Sequence, residues 1–228
     1  MSRGIFTSVG VGPGDPGLIT VAAVEAIRTS AVIAVPVSGA ADNAVLKIAA
    51  AYLEGKEIMY CDMPMTRDRE KLEKSHEKAA ADICERLEAG DDVAFLTLGD
   101  PSIYSTTMYV HDRIRDAGYE TKMLAGVPSF CAAAARIGIP LCEGGEKLTI
   151  VPASYSGAEE AMKGDGNKVL MKSGKSICAV RDAIDKDRFD CYAVERCGME
   201  GERVHMTLDT VDDSAGYFSL LIMKEKRQ

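Results

Sequence analysis

The sequence has no apolar stretch long enough to cross a bilayer. Its longest run, Ala31–Val37, is interrupted by Pro36, whereas a membrane-spanning helix needs about 20 apolar residues. Met1–Gly14 shows neither a basic segment nor an unbroken apolar stretch of the secretory kind. No membrane partner is therefore expected, and the expected location is the cytoplasm. No Cys-x-x-Cys pair occurs, and the cysteine count is odd: Cys61, Cys84, Cys131, Cys142, Cys178, Cys191 and Cys197. Both features argue against a disulfide scaffold. Only His76, His111 and His205 could join a thiolate in a zinc site, and none stands at ligand spacing, so no metal is expected. Most of the thiols are expected to be reduced core residues. Positive charge is in short supply too, with 27 Lys and Arg against 35 Asp and Glu, a net charge of −8. Nucleic acid, which needs a concentrated positive surface, is not an expected partner. An anionic small molecule needs only a local basic cluster.

What remains is ordinary globular material, 46% hydrophobic and 27% charged over 228 residues. That length accommodates one large domain or two small ones. Strand-like and helical patterns alternate in the first half. Ile5–Val11 and Ala31–Pro36 read as strands, the second with the continuous apolar habit of a buried parallel strand. Thr20–Ser30 reads as a helix with Thr20 as N-cap. A helix near Ala44–Leu53 and a strand near Glu57–Tyr60 follow. Asp68–Glu88 is the clearest helix: Leu72, His76, Ala79, Ala80, Ile83 and Leu87 line its inner face, and Gly90 stops it. Asp92–Leu98 (strand), Ile103–Ala117 (helix), Tyr119–Leu124 (strand) and Ser129–Ile137 (helix) repeat the order. The alternation predicts an α/β fold with an at least partly parallel sheet.

Gly138-Ile139-Pro140 breaks the pattern, which places the expected domain junction at 138–145, between domains over 1–140 and 145–228. The second half predicts strands at Lys147–Pro152, Asn167–Lys172 and Asp190–Glu195, and a helix at Ser176–Asp185. Arg203–Leu208 and Tyr217–Met223 read as adjacent strands. With less helix between its late strands, this half is expected to carry an antiparallel or mixed sheet. No repeat of solenoid period is present.

Gly10-Val-Gly-Pro-Gly-Asp15 follows a strand and invites comparison with a dinucleotide-binding loop. Pro13 lacks the amide hydrogen that a phosphate would need, and Asp15 brings negative charge. The next helix starts only near Thr20, and the second strand ends in Val35-Pro36 with no acidic residue for a ribose. The loop is therefore read as a tight strand exit rather than a phosphate site. Lys172-Ser-Gly-Lys-Ser176 imitates the tail of a phosphate-binding loop, but Val169 stands where that motif requires glycine. Leu98-Gly-Asp-Pro101 leaves a buried strand, and ligands of open α/β sheets sit at such carboxyl ends. On its own the Gly99-Asp-Pro101 tripeptide is also simply a turn.

The combination is more specific. Gly10-Val-Gly-Pro-Gly-Asp-Pro16 with Leu18-Ile-Thr20 resembles the opening of the tetrapyrrole methylases. Phe95-Leu-Thr-Leu-Gly-Asp-Pro-Ser-Ile-Tyr-Ser-Thr106 and Ala125-Gly-Val-Pro-Ser-Phe-Cys-Ala-Ala-Ala134 resemble two later blocks of that family. Within it, Met63–Asp68, Tyr104–Thr106, Ile139–Gly145, Glu195–Arg203 and Tyr217–Leu221 resemble the branch that methylates carbon-20 of precorrin-2 or of its cobalt complex, cobalt-factor II. The likeness runs from about Gly4 to Met223. Ala125 departs from it, standing where the family usually has proline.

The resemblance implies two α/β domains with mixed sheets, S-adenosylmethionine in the cleft between them, S-adenosylhomocysteine as product, a tetrapyrrole acceptor, a place in cobalamin biosynthesis and a homodimer. It further implies that Pro13, Leu98, Gly99, Asp100, Ile103, Ser105, Thr106, Ser129, Phe130, Met171, Lys172, Arg196 and Cys197 contact the donor. Gly12, Asp15, Arg67, Arg69, Tyr104 and Glu143 are its candidates for the acceptor. Asp100 is the candidate catalytic residue, a carboxylate that would favour the positive sulfonium. Methyl transfer to a meso carbon needs chiefly proximity and orientation, about 7–11 kcal/mol of barrier reduction. A group must still take the proton that carbon-20 loses, and His76, Glu143 and Glu195 are open alternatives. Arg67, Arg69 and Lys71 are candidates for a basic rim facing the acceptor's carboxylates. Other readings are a family methyltransferase acting at another tetrapyrrole position and a non-catalytic S-adenosylmethionine-binding module.

Overall fold

Side chains in a strand point alternately to opposite faces, and the first-half strands use that alternation to serve two cores at once. In this computed structural model, which describes residues 2–38, 43–152, 158–173, 181, 184–212 and 215–226, β1 (Phe6–Gly10), β2 (Val32–Val37), β3 (Glu57–Asp62), β4 (Val93–Thr97) and β5 (Thr121–Leu124) form one sheet in the order β3-β2-β4-β1-β5. All its pairings are parallel. Phe6, Val32, Ala34, Val93 and Phe95 face helices α3 (Arg69–Glu88) and α4 (Thr107–Asp116). Val9, Ile33, Val35, Ala94 and Leu96 face α1 (Val21–Thr29) and α2 (Ala44–Ala49). Both faces of the sheet are thus covered, as a parallel sheet requires.

The helix ends follow local chemistry. Thr20 Oγ1 accepts from Ala23 N–H at 3.1 Å, the cap expected of it, and Asp68 Oδ1 accepts from Lys71 N–H at 3.2 Å at the start of α3. The inner face of α3 buries His76, Ala79, Ala80, Ile83 and Leu87, while Leu72 is only partly covered. Helix α4 starts at Thr107, four residues later than Ile103. The delay has a cause: Asp100 holds a turn through Ser102, and Tyr104 takes a left-handed conformation with φ 50°.

The chain divides into two compact units, Met1–Pro128 and Ser129–Gln228. The boundary lies before the junction expected at 138–145, so α5 (Ser129–Ile137) belongs to the second unit, where it packs on β10 (Ser219–Glu225). Gly138, with φ 81°, is a helix C-cap rather than a domain break: its amide donates to Ala134 O at 2.9 Å, and that of Ile139 to the same oxygen at 3.1 Å.

The second unit adds β6 (Leu148–Pro152), α6 (Ala158–Lys163), β7 (Asn167–Met171), β8 (Phe189–Glu195) and β9 (Arg203–His205), in a sheet ordered β6-β7-β10-β8-β9. β6 and β7 are parallel and the other pairings antiparallel, so this sheet is mixed. Leu170, Phe189, Ala193, Leu208 and Leu221 build its core. The last two strands are not neighbours, contrary to the expectation from sequence. Ser219–Met223 is continuously buried, which suits a central strand, and β10 inserts between β7 and β8. The three-residue β9, with Val204 40% exposed, takes the edge. Most of the helix expected over Ser176–Asp185 lies outside the described residues. The thiols also differ from expectation: Cys61 is buried, Cys84, Cys191 and Cys197 are partly covered, and Cys131 and Cys142 are exposed.

Candidate functional site

β4, β1 and β5 are neighbours, so the loops leaving Thr97, Gly10 and Leu124 meet at one sheet edge. Their backbones touch with no side chain between them. A Cβ added to Gly126 would lie 2.1 Å from Gly99 O, and one on Gly10 would lie 2.6 Å from Gly126 N. Gly99 itself has φ 73° and, on its outer side, nothing nearer to an added Cβ than Val127 O at 4.0 Å. A ligand can therefore approach the Gly99 backbone closely.

The amides of this knot are already committed. Val11 N–H donates to Thr97 O at 3.0 Å, Gly12 N–H to Gly99 O at 3.3 Å, and Gly99 N–H to Gly12 O at 2.8 Å. Gly17 N–H donates to Asp15 Oδ1 at 2.8 Å, so Asp15 caps a short 3₁₀ turn over Pro16–Leu18. Pro13, buried, has no amide hydrogen. With these amides paired and Pro13 carrying no hydrogen, the loop offers few donors to a phosphate. Its carbonyls and a nearby carboxylate suit a cation better.

That carboxylate belongs to Asp100, which is 8% exposed. Oδ2 accepts from Gly126 N–H at 2.9 Å, while Oδ1 accepts from Ser102 N–H at 2.8 Å and from Ser102 Oγ at 2.5 Å. Asp100 thus ties the β5 exit to the β4 exit, a role the tripeptide alone did not disclose. Further along the same loop, Ile103 N–H donates to Asp100 O at 3.2 Å and Ser105 Oγ lies 2.8 Å from Thr97 Oγ1. Leu98 packs against the α1–α2 core. Tyr104 is 47% exposed, and Thr106 precedes α4 without a side-chain capping bond. The structure therefore brings Gly12, Pro13, Leu98, Gly99, Asp100, Ile103, Ser105 and Thr106 to one edge. Gly10, Gly126 and Ser102, assigned nothing by sequence reasoning, complete it. The glycines' place directly after strands was the available signal.

Arg67 and Arg69 lie where β3 leads into α3; both are exposed and make no ion pair among the described residues. Seven residues on, His76 is 4% exposed and stacks flat on Tyr109, with centroids 5.0 Å apart and planes at 11°. Burial is the main cause that pushes its pKa below the usual histidine value. Arg113 adds to the shift and Glu73 partly offsets it.

In the second unit β7 and β8 run the same way on either side of β10, so their exits share one edge. Lys172 (φ 57°) follows β7, and Arg196 (φ 52°) follows β8. Ser173 N–H donates to Ser219 O at 3.3 Å, and Arg196 N–H to Phe218 O at 2.9 Å, so the start of β10 holds both turns. Met171–Lys172 and Arg196–Cys197 are thereby brought together, with Tyr217 and Phe218 beside them. Lys172 Nζ lies 6.0 Å from the Tyr217 ring centroid. With Tyr104, these are the only described non-glycine residues with positive φ, and such strained backbone gathers at functional sites. Next to Arg196, Glu195 is buried. Its Oε1 lies 2.9 Å from His205 Nε2, and its Oε2 accepts from Arg203 at 2.8 Å. Ser129 and buried Phe130 open α5. Exposed Glu143 sits in the turn before β6, where its N–H donates to Glu146 Oε2 at 3.0 Å.

The whole arrangement has known relatives. A protein of Methanocaldococcus jannaschii named probable cobalt-precorrin-2 C(20)-methyltransferase is 34% identical over 220 residues, covering 95% of this chain and 94% of its own. Among solved structures, a cobalt precorrin-4 methyltransferase superposes with a TM-score of 0.77 at 18% identity, covering 96% of this chain and 94% of the other. The uroporphyrin-III C-methyltransferase of Thermus thermophilus, solved with S-adenosylhomocysteine, gives 0.69 at 21% identity, with 97% of each chain covered. Residues 6–212 match the family profile described as Tetrapyrrole (Corrin/Porphyrin) Methylases, and the chain belongs to that family.

Proposed function

We propose that this protein transfers a methyl group from S-adenosylmethionine to carbon-20 of precorrin-2 or of its cobalt complex, a step of cobalamin biosynthesis. The observation that carries this reading is the similarity to the M. jannaschii relative along nearly the full length of both chains. The Thermus neighbour's ligand supports the choice of donor. So does the chemistry of the first-unit edge, where committed amides and a carboxylate favour a sulfonium over a pyrophosphate.

When bound, S-adenosylmethionine supplies an already activated methyl group, so the protein needs no nucleophile of its own. The Gly10–Gly99–Gly126 knot lets backbone reach the donor. Asp100 keeps that knot in shape and leaves its negative charge at the same edge. Lys172 and Arg196 present side chains from the second unit, and Arg67 and Arg69 supply positive charge for the acceptor's carboxylates. Holding the reactants in line is the main contribution, because orientation alone is worth about 7–11 kcal/mol. In this reading the enzyme acts in the cytoplasm as a homodimer.

The test is direct. Protein is incubated with methyl-labelled S-adenosylmethionine and, separately, metal-free precorrin-2, cobalt-factor II, uroporphyrinogen III and later corrinoid precursors, and the label is located by NMR. Label at carbon-20 of the precorrin-2 ring is expected. Label elsewhere, or none despite donor binding, refutes the assignment.

A further inference from the structure

We propose that the exposed ring of Tyr109 is the platform on which the flat tetrapyrrole acceptor stacks, an inference that rests on the methyl-transfer reading above. A planar macrocycle offers a partner two kinds of grip, its faces and the carboxylates at its rim. Aromatic rings hold such faces by offset stacking.

Tyr109 belongs to the first-unit edge through its backbone. It lies in the first turn of α4, where its N–H donates to Thr106 O at 3.2 Å and that of Met108 donates to Ser105 O at 3.4 Å. Both oxygens end the loop that leaves β4 through Gly99 and Asp100, so loop and helix start are one hydrogen-bonded piece.

The ring is held as well as exposed. One face is stacked on His76, with centroids 5.0 Å apart and planes at 11°, and His76 is itself buried. Arg113 Nη1 donates to Tyr109 O at 2.7 Å, and the same guanidinium pairs with Glu73 of α3. Tyr109 nevertheless remains 55% exposed. A single exposed aromatic residue is commonplace. The charge placed beside this one is what singles it out.

Helix α3 supplies that charge by overshooting the sheet. Ser75 Oγ donates to the carbonyl of Asp62, the last residue of β3, so Ser75 is level with the sheet's end. Its neighbour His76 puts the Tyr109 ring at the same height. Arg69–Lys74 therefore rises about 9 Å beyond the sheet, at 1.5 Å per residue. Arg69 precedes His76 by seven residues, two helical turns, and so stands on the same face of α3 about 10 Å further out. Arg67, Arg69 and Lys71 are exposed and make no ion pair among the described residues. The carboxylates around them are engaged: Asp68 caps α3, Glu70 pairs with Lys74, and Glu73 pairs with Arg113.

A ring backed on one face, at the foot of a cationic rise in a chain of net charge −8, suits a planar anion. The acceptor is such a molecule: its face would lie on Tyr109 and its rim carboxylates against Arg67, Arg69 and Lys71. The sulfonium donor is a cation, which the same rise repels.

The experiment titrates cobalt-factor II into wild type, Tyr109→Leu, Tyr109→Phe and Arg69→Gln at low and high salt, with S-adenosylhomocysteine affinity measured in parallel by calorimetry. Leucine keeps apolar bulk and loses the flat face; phenylalanine keeps the face. Tyr109→Leu is expected to bind cobalt-factor II about 10-fold more weakly, Tyr109→Phe to recover most of that loss, and both to keep wild-type S-adenosylhomocysteine affinity. Arg69→Gln should flatten the salt dependence of cobalt-factor II binding, which Tyr109→Leu should leave as in wild type. Should Tyr109→Leu melt below the assay temperature, Tyr109→Met, whose flexible thioether still packs on an aromatic ring, replaces it. Cobalt-factor II affinity within twofold of wild type in Tyr109→Leu overturns the platform and leaves methyl transfer standing. A Tyr109→Phe variant as weak as Tyr109→Leu also overturns it, because the hydroxyl and not the ring face would then carry the effect. A wild-type protein that binds S-adenosylhomocysteine but neither binds nor methylates cobalt-factor II or metal-free precorrin-2 overturns the functional reading, and this inference falls with it.

Discussion

The two units shape their strand-exit loops by opposite means. At the first-unit edge Gly10, Gly99 and Gly126 remove side chains so that three backbones can touch. At the second-unit edge Lys172 and Arg196 take left-handed conformations while keeping long side chains. Glycine would adopt those angles without strain, so retaining Lys and Arg there speaks for the side chains. The first edge is built to offer backbone, and the second to offer functional groups.

The comparison breaks most visibly at Gly126. Gly126→Ala would drive a methyl to within 2.1 Å of Gly99 O, and the backbone of both loops must move. We expect a loss of about 3 kcal/mol in urea denaturation and no measurable S-adenosylhomocysteine binding. A stable variant that binds normally would show that the knot is incidental to the site.

Asp100 should come next. Asp100→Asn can keep an oxygen on Ser102 only by turning its amide toward Gly126 N–H, donor against donor. Stability should drop by about 1–2 kcal/mol, with weaker S-adenosylhomocysteine binding by calorimetry. If stability holds while binding falls, the charge matters more than the tie between loops.

In the second unit the same kind of measurement should give the opposite sign. Lys172→Gly relieves a left-handed residue, a gain of about 1–2 kcal/mol, against an entropic cost of about 0.5–1 kcal/mol for glycine. Stability is expected to rise by about 0.5–1 kcal/mol while methyl transfer declines. A variant that is both more stable and fully active would show that the Lys172 side chain does nothing.

Much of the first unit could be read in advance, because local pattern and topology agree there. Each apolar strand of a parallel sheet is followed by a helix with its own period, and caps such as Thr20 and Asp68 mark the starts. The second unit was less legible. Strand pairing in a mixed sheet is decided by long-range burial, so the proximity of Arg203–His205 and Ser219–Glu225 in sequence misled as to adjacency. The Gly138 break looked like a domain junction because a helix cap and a linker share glycine and proline. At the site, glycines after strands could be seen, but the bond from Asp100 to Gly126 spans 26 residues and leaves no local trace. The left-handed Lys172 and Arg196 were likewise invisible as such, since neither residue type signals positive φ.

Acid should separate the two units with the mildest perturbation of all. His76 and His111 of the first unit are both held below the usual histidine pKa, chiefly by burial. The unfolded chain takes up protons near pH 6.5 and the folded one only at lower pH, so stability is full above 6.5 and declines as pH falls beneath it. In the second unit the lowered groups include carboxylates. Lys224 and Asn167 hold Glu146 at about 2, and Arg188 with the Gly166 amide lowers Glu225. Their contribution stays intact down to about pH 4.5, the ordinary glutamate range, and is lost only below it. Hydrogen exchange between pH 7 and 5 should therefore show amides of β1, β4, α3 and α4 losing protection before those of β7, β8 and β10. His76→Phe should remove part of that early loss and leave the share due to His111. Equal softening of both units across this interval would mean that the buried histidines do not govern the acid response.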